Sequence, residues 1–154
     1  MTITTITGIS FLADTIILIR DKLQTNITDP IAGFRKGNEK FVMTSYPQRA
    51  VNYPIITIVD RNISQPQRLG MGSEGTLLRI TLEIRIWARN VVERDELFDS
   101  VYNYLKNDQL DSGTGLVASN LNNFSMTSAI NINEDGEAGI KSKVMEINFM
   151  FINN

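Results

Sequence analysis

Between Leu77 and Arg89 the chain alternates apolar and polar residues over five successive steps, and no other stretch limits the available folds as strongly. Leu78 aside, Ile80, Leu82, Ile84, Ile86 and Ala88 form one series. Arg79, Thr81, Glu83, Arg85, Trp87 and Arg89 form the other. Successive side chains point to opposite sides only in an extended strand, whereas a helix of 3.6 residues per turn would mix the two series. The pattern therefore predicts a strand whose even-numbered face lies in a core and whose odd-numbered face does not.

The segments around it read as helices and further strands. Asn90 and Glu93 have capping-box spacing directly after the strand, with Glu93, Asp95 and Glu96 at the positive end of a helix and Lys106 at its negative end. Leu97, Val101, Tyr104 and Leu105 make its apolar stripe, and Asn107–Gly115 ends it. An earlier helix is expected from Ser10 to Leu23, with Leu12, Ile16, Ile19 and Leu23 as its stripe. Ser10 is its N-cap, Asp14 lies in its first turn, and Arg20 and Lys22 lie in its last. Pro54–Val59 reads as a short buried strand and Asp60–Gly75 as a polar loop. Met126–Ile132 and Lys143–Ile152 read as a hairpin around Glu134-Asp135-Gly136, tying the second strand into the sheet. Thr25–Val51 is weakly periodic, with Phe41–Thr44 as a candidate short strand. The expected architecture is α+β: a single domain over residues 1–154, one mostly antiparallel sheet with two amphipathic helices on one face, and long loops.

Composition narrows the chemistry. The sequence has no histidine and no cysteine, which removes Ser-His-Asp and Cys-His nucleophile systems, histidine or thiolate zinc sites, and disulfides. Its net charge of −2 gives no electrostatic footprint for free nucleic acid. The first residues lack a basic n-region and Asp14 interrupts the apolar run, so neither a secretory signal nor a spanning helix is expected there, and synthesis in the cytosol is. The Asn-x-Ser/Thr triplets at Asn26, Asn62 and Asn123 are then chance matches. Gly70-Met-Gly-Ser-Glu-Gly75 precedes a strand and has no lysine nearby, which suits a loop and not a phosphate cradle. Asn131-x-Asn133-x-Asp135-Gly136 imitates half a calcium loop, but Ser142 stands where a bidentate glutamate is needed. Helix-dipole complementation accounts for Glu93, Asp95 and Glu96 without acid–base chemistry. No enzyme, cofactor or metal is expected.

The odd-numbered face of the central strand carries the functional signal. Arg79, Glu83, Arg85, Trp87 and Arg89 fit either an ordinary solvated face or a surface that meets another subunit, since Trp and Arg are enriched at interface hot spots. A nucleic-acid variant, with arginines on phosphates and Trp87 stacking on bases, runs against the negative net charge. Candidate contacts are Arg85, Trp87 and Arg89, with the loop Arg68–Gly75, including Arg68, Met71 and Glu74, reaching a neighbour.

One resemblance joins these pieces. The N-terminal helix, Tyr46-Pro47, Tyr53-Pro54-Ile-Ile-Thr-Ile-Val, Leu-Leu-Arg-Ile-Thr-Leu-Glu-Ile-Arg-Ile-Trp-Ala, the helix Glu93–Lys106 and a closing hairpin follow one another in order. That succession, from Ser10 to Ile152, resembles the tail terminator or tail completion proteins of long-tailed viruses. The resemblance implies a homohexameric ring at the head–tail junction. Such a ring caps the tail tube protein, halts its growth and offers a surface to the head connector or adaptor. It implies a virion protein, assembled in the host cytoplasm, without membrane contact, through which DNA passes without specific binding. No single functional residue carries over. The alternatives are another neck or baseplate component, a small cellular ligand- or peptide-binding α+β module, and an enzyme restricted to carboxylates and lysines.

Overall fold

The computed structural model describes residues 6, 11–46, 50–68, 76–132 and 139–153. In chain order its elements are α1 (Phe11–Asn26), β1 (Val42–Met43), β2 (Ile55–Arg68), β3 (Thr76–Ala88), α2 (Val91–Leu110), β4 (Asn122–Ile132) and β5 (Lys141–Asn153). One five-stranded sheet has the order β1-β2-β3-β5-β4. Only the short β1 pairs in parallel, and the other three pairings are antiparallel. The architecture is the expected α+β class.

β3 is the central strand because its alternation lets it bury one face along its whole length. Ile80, Leu82, Ile84, Ile86 and Ala88 are all fully buried. Removing an isoleucine or leucine side chain from water contributes about 1.5–3 kcal/mol, so this face alone anchors the core. Register fixes the rest of that layer, since directly opposed residues share a face. Leu82 lies opposite Ile147, Ile84 opposite Met145 and Ile58, and Ile86 opposite Ile56. Phe149 and Phe151 extend the layer along β5, and Leu18, Ile19, Leu23 of α1 and Leu97, Val101, Leu105 of α2 close it from one side.

Several expectations change at the level of elements. The buried positions of α1 are Thr15, Leu18, Ile19 and Leu23, while Leu12 and Ile16 are half-buried at the margin. The stripe is rotated from the expected one, and Thr15 tolerates its burial because its hydroxyl donates to the Phe11 carbonyl. The expected cap at Ser10 lies outside the described residues. α1 runs on to Asn26, so Arg20 and Lys22 are not in its last turn. Lys22 instead crosses to the far end of α2, with Nζ 3.0 Å from both Asp108 Oδ2 and the Thr114 carbonyl. α2 likewise continues to Leu110, leaving Lys106 short of its end. The cation at the negative end of α2 is therefore supplied by α1.

Asp60–Arg68 is not a loop: it prolongs β2, opposite Leu82 through Thr76 of β3. Its composition hid it, since Asp-Arg-Asn-Ile-Ser-Gln-Pro-Gln-Arg offers no apolar alternation. Register shifts at Asp60/Asn62 and Ser64/Gln67 mark irregularities in this half. The weakly periodic Thr25–Val51 does hold a short strand, at Val42–Met43. The hairpin strands are present and longer than expected, whereas its turn at Glu134–Gly136, with Asn133 of the calcium-like motif, lies outside the described residues.

Candidate interaction surface on the helix-free face of the sheet

Both helices lie on the even-numbered side of β3, which leaves its odd-numbered side to be shared among four strands. Arg85 is flanked by Thr57 of β2 and Val144 of β5, and Glu83 by Val59 and Glu146. Trp87 lies between Ile55 and Ser142, and Val144 has Ile130 of β4 on its other side. The face is thus a shallow platform with Trp87 at one end and charged residues across its middle.

The charges are largely matched. Arg61 Nη1 lies 3.2 Å from Glu83 Oε2, and Arg61 Nε lies 3.8 Å from Glu146 Oε2. Arg85 Nε is 3.8 Å from Glu83 Oε1. Interleaved arginine and glutamate give a surface that is polar but close to neutral, which suits contact with protein and not the pursuit of phosphates.

Trp87 is half-buried, not bare. Its indole Nε1 donates to Thr57 Oγ1 at 3.2 Å, the Arg85 guanidinium lies 4.8 Å from its ring centroid, and Tyr46 packs against it at 4.9 Å. Tyr46 and Tyr53 are joined hydroxyl to hydroxyl at 2.5 Å, just before the cis Tyr53–Pro54 peptide that opens β2. Ile55, opposite Trp87, is fully buried, so this end of the platform is roofed by the chain's own aromatic residues. The two Tyr-Pro steps in the sequence were the available sign of it. Arg61 was not singled out by the sequence, whereas alternation placed Val144 and Glu146 on one face of β5 and Ile130 on one face of β4 without marking a role.

The remaining predicted residues are not brought together. Arg89 turns to Glu93 in the first turn of α2, and the Glu93 carboxylate also accepts the Arg89 backbone N–H at 2.9 Å. Burial pushes the Glu93 carboxyl up, but the hydrogen bonds and charge of Arg89 outweigh it and hold it below the ordinary carboxylate range. Asn90 caps the helix as expected, accepting the Glu93 N–H at 2.9 Å, while the reciprocal bond goes to Arg89 one residue earlier. Arg68 ends β2 opposite Thr76, at the other end of the sheet from Trp87. At about 3.4 Å per residue that separation is roughly 35–40 Å. Met71 and Glu74 lie outside the described residues.

An open concavity of about 920 Å³ is lined by Arg20, Lys36–Lys40, Val42–Ser45 and Ala50–Asn52. Its one carboxylate, Glu39, accepts from the Asn52 N–H at 2.6 Å and Nδ2 at 3.0 Å. The Asn52 backbone bond is the largest cause holding Glu39 below its ordinary pKa. Among the described residues no three acidic side chains gather as metal ligands, and no helix is long and apolar enough to cross a membrane. No protein-family model matches the chain, and no curated protein matches it either.

Proposed function

We propose that this chain is a structural virion protein of the tail terminator type, which self-associates into a ring that caps the tail tube and joins it to the head connector. The observation that carries the reading is the helix-free face of the sheet. Four strands present it as one rigid, near-neutral platform with half-exposed Trp87 and Arg85, so the surface offers docking and no chemistry. The order helix, strands, helix, hairpin, on which the resemblance rests, supports it further. The mechanism is geometric: a ring closed by heterologous contacts has two unlike faces, one for the tube below and one for the connector above. A net charge of −2 suits a lumen along which DNA slides.

Size-exclusion chromatography with light scattering tests the ring, and addition to polymerising tail tube protein tests the cap. Expected are a closed oligomer, hexameric by the resemblance, and tubes whose growth stops when it is added. A monomer at every concentration, with tubes that grow unchanged, would overturn the proposal.

A further inference from the structure

A sheet edge exposes a row of unpaired backbone groups, and proteins usually blunt it with charge, proline, bulges or a covering element. Among the described residues β4 is the last strand on one side of this sheet. None of its eleven residues, Asn-Asn-Phe-Ser-Met-Thr-Ser-Ala-Ile-Asn-Ile, is charged or proline. None is buried, and Ile130 is 59% exposed. Register irregularities are confined to its first half, and Ser128–Ile132 pairs regularly with β5. Among the described residues the opposite edge is open too. β1 pairs with β2 at Ile56 and Thr57 alone, and among the described residues no strand continues along β2 from Ile58 to Ser64.

The two edges are complementary. Three successive antiparallel pairings, β2 with β3, β3 with β5 and β5 with β4, leave β4 running opposite to β2. A second copy placed by rotation beside the first, with its sheet face continuous, therefore sets its β2 antiparallel to β4, the more stable pairing. The exposed Asp60 and Arg61 of β2 would face a strand without charge, so no like charges oppose each other. A two-fold pairing of β4 with β4 would also be antiparallel, but it would leave the β2 edge open. Only the head-to-tail arrangement covers both edges with one repeated contact, and its repetition closes a ring or extends a filament.

We infer that Ser128–Ile132 of β4 pairs in antiparallel register with Ile58–Ser64 of β2 in a neighbouring copy, so that the sheet runs on from subunit to subunit. The inference rests on the self-association proposed above, though not on what the ring caps. The absence of cysteine makes it directly testable. Ser128→Cys or Ile130→Cys is combined with Asn62→Cys or Ser64→Cys, all four positions lying on the helix-free face, and the purified protein is oxidised without any tail component. At least one double variant should give a covalent ladder ending at the subunit number found by light scattering, while single variants stay uncrosslinked. Ile130→Lys should weaken association at least tenfold with circular dichroism and melting temperature unchanged. Dimers from Ile130→Cys alone would replace the inference with two-fold β4 pairing. Oligomers that neither crosslink in any double variant nor weaken with Ile130→Lys would place the contact elsewhere and leave ring formation standing. A monomeric wild-type protein would overturn ring formation and the edge pairing together.

Discussion

Arg35 stands in the least regular third of the chain, yet its side chain is only 6% exposed. Its guanidinium bonds to both carboxylate oxygens of Asp29 and to the carbonyls of Asn52 and Pro54, lies 3.3 Å from Glu39, and sits 5.3 Å from the Phe41 ring centroid. A planar, five-donor group can hold all of these at once, and an ammonium cannot. Arg35→Met would leave Asp29 and Glu39 without their cation and the Asn52 and Pro54 carbonyls without the guanidinium donor, and should cost about 3–5 kcal/mol in urea unfolding. Arg35→Lys should recover less than half of that loss. Periodicity could not announce such a residue, because its partners come from both ends of an irregular segment. Trp87 shows the same limit in reverse. Its face was readable from the alternation of β3, but its burial beneath Tyr46 was not, since Tyr46 arrives from a loop before β2.

Among the elements, α2 was legible almost throughout, from the Asn90 cap to the stripe at Leu97, Val101 and Leu105. Asn90→Ala should cost about 1 kcal/mol in thermal or urea unfolding, the usual worth of an N-cap side chain. The exit from α2 is tighter than its entry. The Leu116 and Gly115 N–H groups bond back to the carbonyls of Asp108 and Asp111, both at 3.1 Å. A Cβ on Gly115 would collide with those same two backbone oxygens. Gly115→Ala should therefore destabilise by about 1–3 kcal/mol, as overpacking does, and a melting point equal to wild type would refute the crowding. The second half of β2 and the last turns of both helices were misread for one reason. Each is held by a partner on another element: β3 for Asp60–Arg68, Lys22 for the end of α2, and Tyr104 for Asn26 at the end of α1, with Nδ2 to hydroxyl 3.0 Å.

For the molecule as a whole, the α+β class followed from one alternating strand and two amphipathic stripes, whereas the open edges appeared only once strand order was known. The ionisable groups also act together. Asp95 is held at about 2, first by the Arg94 hydrogen bond and then by that of Lys143, and Glu39, Glu93 and Asp111 are lowered too. Groups with depressed pKa stabilise the fold above the ordinary carboxylate range near 4 and lose that contribution as pH falls through their folded values. Tyr104 is raised to about 12, first by burial and then by the charge of Asp108. Its contribution is full below about 10 and fades as pH rises toward 12. With no histidine or cysteine side chain to titrate between, melting temperature should stay level from about pH 6 to 8 and decline on both sides. A histidine-like step near pH 6.5 in that profile would contradict this. Chain order adds a consequence in time. β3 is followed by α2 and β4 before β5 arrives, yet β5 pairs with it from Thr76–Asn153 to Ala88–Lys141. Such distant pairing closes slowly compared with the β2–β3 contact. During refolding, the isoleucine-rich side of β3 must wait for its second neighbour, and dilution or a low temperature should raise the refolding yield most while it waits.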